Sequence, residues 1–284
     1  MRARNLMAAC ALLTGANLAT GAMAAPAGFQ PVTTGGVRPD SHIVTVSSLA
    51  ASGPGSLEWA LQQPGPKIIV FTVGGVIPLN GAAAVNTPFT TIAGETAPAP
   101  GIELTGGTLQ VRSHDIVIRH IAVRTQGPAP FGWKDPPDGI NIGGNPKRYG
   151  APIRNVLLEN VSVSWGVDEN VDVWYQGTGN VQLRSMIIAE GLMQGGHPKG
   201  VHSMGMLVGS GVDRTSVTDS LFAHNNDRHP RVSPDTQVSV ERDVIYDPGH
   251  EGTEIFVDCD KGGAPMRFVD NVLRPGPSTW HKLV

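Results

Sequence analysis

Six segments of this chain share one loose pattern: an apolar residue, a spacer, a second apolar residue, a short polar stretch and a further apolar pair. They begin at Ile116, Val156, Val181, Thr215, Val238 and Met266, at intervals of 40, 25, 34, 23 and 28 residues. Self-similarity at such a period marks a solenoid, in which no coil can bury its apolar face until a neighbouring coil covers it. The shorter intervals suit one coil of a three-sided β-solenoid, and the longer ones predict coils that carry loop insertions. Such insertions gather on one face, often the binding face. The polar residues inside each unit, such as Arg119-His120 and Glu159-Asn160, predict the bend from one sheet to the next.

Local patterning agrees. The 36 glycines and 23 prolines punctuate short β-branched runs, and helical periodicity is nearly absent. One helix is predicted at Ser56-Leu57-Glu58-Trp59-Ala60-Leu61, with Ser56 as its N-cap after Pro54-Gly55. A β-sandwich would need a series of tight hairpins between adjacent alternating runs, and the chain does not supply one. The expected class is all-β, a right-handed, single-stranded parallel β-helix.

The first residues are read separately. Arg2 and Arg4 precede an apolar stretch from Leu6 to Leu18, and Ala22-Met23-Ala24 follows as a small-x-small site. This predicts a leader over residues 1–24 and one β-helix domain over 25–284. The expected location is secreted or periplasmic. No later stretch is long and apolar enough to span a bilayer. A net charge of −3 gives no basic surface for nucleic acid. Of the two cysteines, Cys10 falls in the leader and Cys259 sits in an alternating run, where it reads as a small apolar residue and not a nucleophile.

Charged residues beside apolar strands form three clusters. The first is Asp138 in Pro137-Asp138-Gly139-Ile140. The second is Trp165-Gly166-Val167-Asp168-Glu169-Asn170-Val171-Asp172. The third joins His197-Pro198-Lys199-Gly200-Val201-His202 to His224-Asn225-Asn226-Asp227-Arg228-His229-Pro230-Arg231. Stacked coils would bring Asp138, Asp168 and Asp172 side by side. Convergent carboxylates suit calcium, a hard cation that takes oxygen ligands in flexible geometry, or else they are solvated turn residues. Lys199, Arg228 and Arg231 around a groove suit a polyanion, above all one bearing carboxylates, or else they too are surface residues. His197 and His202 lack partners at typical zinc spacing, which leaves a structural or substrate-contact role.

These motifs resemble those of polysaccharide lyase family 1, the pectate lyases. The resemblance is carried by Val161-Ser162-Val163-Ser164-Trp165-Gly166-Val167-Asp168-Glu169, by His197-Pro198-Lys199-Gly200-Val201-His202-Ser203-Met204-Gly205, and most strongly by Leu221-Phe222-Ala223-His224-Asn225-Asn226-Asp227-Arg228-His229-Pro230-Arg231. It extends roughly over residues 45–278, with the motifs in family order. The resemblance implies calcium held by Asp138, Asp168 and Asp172, catalysis by Arg228 and Lys199, and substrate binding by Arg231 and His202. It also implies β-elimination in polygalacturonate, with Arg228 as base. The protein is expected to act as a monomer, with neither nucleic-acid nor membrane partners. The chain departs from the pattern at Glu159-Asn160, where relatives carry Asp-His, and at Thr218-Asp219-Ser220, where His-His-Asn is usual. Pro136 stands where some relatives have another calcium carboxylate, with Asp135 adjacent.

Two other readings are open to sequence. Hydrolysis on the same scaffold would need paired carboxylates, with Glu190 and the Asp168-Glu169 pair as candidates. A non-catalytic β-helix that binds acidic polysaccharide, or serves as an adhesin, would bind without cleaving.

Overall fold

A computed structural model describes residues 33–125, 136–255 and 263–280. The proposed leader, both cysteines and Asp135 lie outside the described residues. Within them the chain is a parallel β-helix with three faces. The first face stacks nine strands: His42–Val46, Lys67–Phe71, Thr90–Ala93, Ile116–Arg119, Arg154–Glu159, Gly179–Arg184, Arg214–Thr218, Gln237–Glu241 and Met266–Val269. Every strand pairing among the described residues is parallel, as coils wound in one sense require.

The second and third faces are joined into one sheet by two long strands, Gly75–Val85 and Ile102–Val111. The start of Ile102–Val111 pairs with Ile121–Arg124 on the second face, and its end pairs with Ile140–Gly143 on the third. In later coils that corner is broken into a turn. The third face then continues through Glu169–Trp174, Met204–Val208, Arg231–Val232 and Glu254–Ile255.

Register follows the repeat. Ile116 pairs with Val156, Val156 with Val181, Val181 with Thr215, Thr215 with Val238, and Val238 with Met266. Side chains alternate between faces of a strand, so this register lines up inward-facing residues from coil to coil. Ile118, Leu158, Leu183, Val217 and Val240 form one such column, and Val123, Val163, Ile188, Phe222 and Ile245 another. All ten are completely buried. Each fully buried Val, Leu or Ile contributes about 1.5–3 kcal/mol relative to exposure.

The bend residues behave as their chemistry demands. His120, Asn160, Ser185, Asp219, Arg242 and Asp270 all lie in the left-handed region, at φ between 51° and 59°. Asn and Asp tolerate this conformation best, and here even Arg and His adopt it because the stacked coils hold the corner. Each of the first five donates its N–H to a carbonyl of the next coil. The predicted helix forms at Leu57–Gln62, where Ser56 Oγ accepts from Trp59 N at 3.2 Å and Leu57, Ala60 and Leu61 are buried.

The corner between the second and third faces carries the insertions. Of the two longest repeat intervals, the second takes its extra length there, over residues 190–203, and the first divides it between residues 125–139 and residues 144–153, the latter ahead of the first face. The described part of this corner holds a buried amide rung. Asn170 Nδ2 donates to Ala189 O and Asn225 Oδ1, both at 3.0 Å, while Asn225 Nδ2 donates to Ile188 O at 2.9 Å. Asn225 Oδ1 also accepts from Gly191 N at 3.0 Å. Asn225→Ala would strip partners from three buried groups. The expected loss is about 2–4 kcal/mol of unfolding free energy, to be measured by denaturant titration.

Candidate active site

The insertion-bearing corner and the third face beside it enclose a groove of about 590 Å³. Its floor is made of outward-facing strand residues: Thr108 and Gln110, then Asn141, Asp172, Trp174 and Leu207. Strict alternation puts them there. Val171 and Val173 pair with Ile140 and Ile142 inside the core, so Asp172 and Trp174 must face out. The corner turns supply Asp138, Asp168, Lys199 and Arg228, and Arg112 and Glu169 complete the charged lining. Five of the seven residues singled out in the sequence therefore share one groove.

The carboxylates are tightly organised. Asn141 bridges two of them, donating from Nδ2 to Asp138 Oδ2 at 2.9 Å and to Asp172 Oδ2 at 2.8 Å. Asp138 Oδ1 accepts from Glu169 N at 3.3 Å. Carboxylate oxygens of Asp138, Asp168 and Glu169 lie within 4.8 Å of one another. Asp172 Oδ1 is buried and has no hydrogen-bond partner among the described residues. An oxygen left unpaired in such a place costs about 1–3 kcal/mol unless something fills its coordination.

Burial, together with the Asp168 charge, pushes the Asp138 carboxyl up to about 7. Burial and the charges of Asp138 and Asp168 push Asp172 well above the ordinary carboxylate range. Asp168 goes the other way. Burial opposes its ionisation, but the His202 hydrogen bond, the imidazoles of His202 and His197, and the Arg228 guanidinium outweigh that cost. The group is an all-oxygen donor set whose negative charge is poorly compensated, which is what a hard divalent cation corrects.

His202 is buried behind this cluster and not on the open groove surface. Its Nε2 donates to Asp168 Oδ1 at 2.7 Å. His197 stacks on it, with ring centroids 3.8 Å apart and planes within 5°. The Lys199 N–H donates to His197 Nδ1 at 3.0 Å, so the ring proton sits on Nε2 and faces Asp168 Oδ2 at 3.5 Å. The two rings therefore hold Asp168 by one oxygen each. Lys199 itself is exposed at the groove edge.

Arg228 lies in the left-handed region at φ 62°, a conformation that costs a non-glycine residue energy and is retained only where the surroundings impose it. Its guanidinium pairs with buried Glu169. Burial and the charge of Arg231 pull the Arg228 guanidinium below its ordinary value. Arg231 occupies the same outward column as Asp172, with Leu207 between them, and lies 3.5 Å from Glu254.

Sequence reasoning offered Glu169 only as half of a carboxylate pair for hydrolysis, whereas here it pairs with Arg228, and it gave no role to Asn141 or Arg112. Arg112 ties adjacent strands by donating to the Asn141 and Gly143 carbonyls at 3.1 and 2.8 Å. The polar Asn141 between two apolar residues of Ile140-Asn141-Ile142 was the legible signal for an outward residue beside Asp138. Glu190, a candidate for hydrolysis, accepts from Trp165 Nε1 at 3.3 Å and is not among the groove-lining residues.

No family model matches the sequence. A probable pectate lyase C of Aspergillus flavus is 32% identical over 255 residues, covering 89% of this chain and 54% of that protein. A probable pectate lyase C of Emericella nidulans is 33% identical over 256 residues, covering 89% and 52%. The chain thus spans about half the length of the curated relatives it matches. Among solved structures, the major cedar-pollen allergen jun a 1 superposes with a TM-score of 0.58 at 14% identity, covering 90% of this chain and 85% of that one. The pectate lyase Bsp165PelA of Bacillus sp. N165, solved with trigalacturonate, gives 0.55 at 10% identity and 92% coverage of each. In sequence the chain is a relative of the curated pectate lyases, and in fold it is a parallel β-helix of the pectate lyase type.

Proposed function

We propose that this protein is an exported pectate lyase that cleaves polygalacturonate by calcium-assisted β-elimination. The observation that carries the reading is the convergence of Asp138, Asp168 and Asp172 with Lys199 and Arg228 on one groove. Carboxylates alone would repel a polyuronate. Combined with a cation and two basic side chains, they suit one. The reading includes a leader over residues 1–24, action as a monomer, and demethylated substrate, because esterification removes the carboxylate that a cation bridges.

In the reaction, a base removes the proton at C5 of a uronate unit and the C–H electron pair becomes the C4–C5 double bond. The C4–O bond breaks, and the departing glycosidic oxygen takes a proton to become a hydroxyl. No water is consumed. The difficulty is that negative charge builds beside a carboxylate that is already negative. Asp138, Asp168 and Asp172 would hold calcium, which when bound neutralises that carboxylate and stabilises the developing charge.

Lys199, at the groove edge, would pair with the uronate carboxylate and orient the sugar. Arg228 would face the C5 proton. To act as the base it must first lose its own proton, and an arginine does so only with difficulty. Burial and Arg231 act in that direction, whereas the Glu169 ion pair favours the charged form. Substrate that draws Arg228 off Glu169 would tip this balance, and alkaline pH would favour it further. His202 and His197 would keep both Asp168 oxygens oriented, a supporting role one layer behind the substrate.

The direct test is ultraviolet absorbance of polygalacturonate incubated with the protein at alkaline pH, since only elimination creates the conjugated product. Absorbance should rise with calcium, stop with chelator, and fall by about 10²–10⁴-fold in Arg228→Ala. New reducing ends without absorbance would mean hydrolysis, and binding without either signal would mean a non-catalytic β-helix.

A stability measurement tests the cation site independently. In the fold Asp138 titrates at about 7, above its ordinary 3.8, so the folded state binds the proton more tightly than the unfolded chain does. Its favourable contribution is present at low pH and disappears as pH rises through 7. Under chelator, Asp138→Asn should therefore match the wild type only near about pH 3.5 and exceed it increasingly from pH 5 to pH 8, by at least about 1 kcal/mol or roughly 2–4 °C in Tm at pH 8. Added calcium at pH 8 should reverse the order, because only the wild type retains the full carboxylate set.

A further inference from the structure

Trp174 is unusual in this groove. Among the described lining residues it is the one aromatic ring, the chain has few aromatic residues, and yet this residue is 48% exposed. Its position is fixed by the fold. It ends the strand Glu169–Trp174, two residues beyond Asp172 and on the same outward side, which places it about 6–7 Å along the strand.

The seat beneath the ring is built from glycine. Trp174 is in register with Gly143 on one side. On the other side lies Gly209, which follows Val208, the partner of Val173. A Cβ added at Gly209 would come within 2.2 Å of the indole Cε3 and 2.8 Å of Cζ3. A Cβ at Gly143 would fall 1.7 Å from the Trp174 carbonyl oxygen. The backbone behind the ring is pinned as well, by Gly209 N donating to Val173 O at 2.9 Å and Thr178 Oγ1 donating to Trp174 O at 3.0 Å. The indole thus rests against the Gly209 backbone, while nearly half of the residue remains open to solvent.

A large aromatic held this way, beside a carboxylate cluster, presents an apolar surface to a ligand whose edge is charged. A pyranuronate fits: its carboxylate and hydroxyls point outward from the ring, and its axial C–H bonds form an apolar face. We propose that Trp174 is a sugar-stacking platform that binds the uronate next to the one held at the cation site. It would fix the register of the chain in the groove and favour substrates long enough to reach both positions. This rests on the polyuronate reading of the groove and adds to it a subsite and a length preference.

The test is calorimetric binding of oligogalacturonates of increasing length, with calcium, in an Arg228→Ala background so that ligand is not consumed. Trp174→Ala should bind the longer oligomers roughly 5–20-fold more weakly while binding of the shortest changes little. Trp174→Phe should restore part of the loss. Gly209→Ala keeps the tryptophan but displaces its ring, and should reproduce the length-dependent loss. The tryptophan fluorescence change on binding should disappear in Trp174→Ala, with an unchanged unfolding midpoint. Equal binding of long oligomers by Trp174→Ala and its Trp174-containing parent would overturn the platform while leaving the polyuronate reading intact. No binding of any oligomer by the parent protein would overturn both.

Discussion

An inward-facing residue of this chain is buried only because the coils above and below cover it. That dependence, parallel stacking in register, governs everything else. It requires identical phase from coil to coil, since a slip of one residue would turn a whole apolar column toward solvent. It also explains which positions are free to vary. Strand positions are constrained on both sides by neighbours, whereas a corner can lengthen without disturbing the stack. The corner between the second and third faces has lengthened twice, at residues 125–139 and 190–203, and the groove lies beside it. The Asn170–Asn225 rung holds the shorter turns in place underneath, satisfying backbone groups that the irregular chain would otherwise bury unpaired.

The same stacking creates the electrostatic tension of the site. Consecutive coils lie about 4.8 Å apart, so Asp138 of one coil is brought against Asp168, Glu169 and Asp172 of the next. Asn141 and the paired imidazoles of His197 and His202 absorb part of the charge, and Arg228 absorbs more through Glu169. What they leave is a buried Asp172 oxygen with no partner among the described residues, and two carboxyls with raised pKa. Such a site is costly by itself and becomes favourable when a cation enters it. On the proposed reading, this is how binding a metal and binding an anionic polymer become one event.

Much of this was legible in the sequence, and for a physical reason. The six repeat starts predicted the observed register because the side-chain period of two and the fixed coil circumference leave little freedom to a β-helix. Ser56 could be read as a cap because its partner, Trp59, is local. Asp138, Asp168, Asp172, Lys199 and Arg228 could be grouped because the family motifs occur in order. What sequence did not disclose were contacts between coils at positions the motifs do not single out. The pairing of Arg228 with Glu169, of Arg231 with Glu254 and of His202 with Asp168 each joins residues separated by insertions or turns of variable length. The fusion of two faces by the strand Ile102–Val111 was equally hidden, because Gly106-Gly107 at its bend reads as the end of a strand, whereas pairing continues on both sides of it.

The central claim is that stacked carboxylates at this corner hold a divalent cation against Arg228. A crystal structure of the Arg228→Ala protein with calcium and an oligogalacturonate would test it most directly. Calcium density coordinated by Asp138, Asp168 and Asp172, with a uronate carboxylate completing its shell, is the expected result. An ion bound elsewhere, or a uronate chain seated in the groove with those three carboxylates protonated and empty, would contradict it.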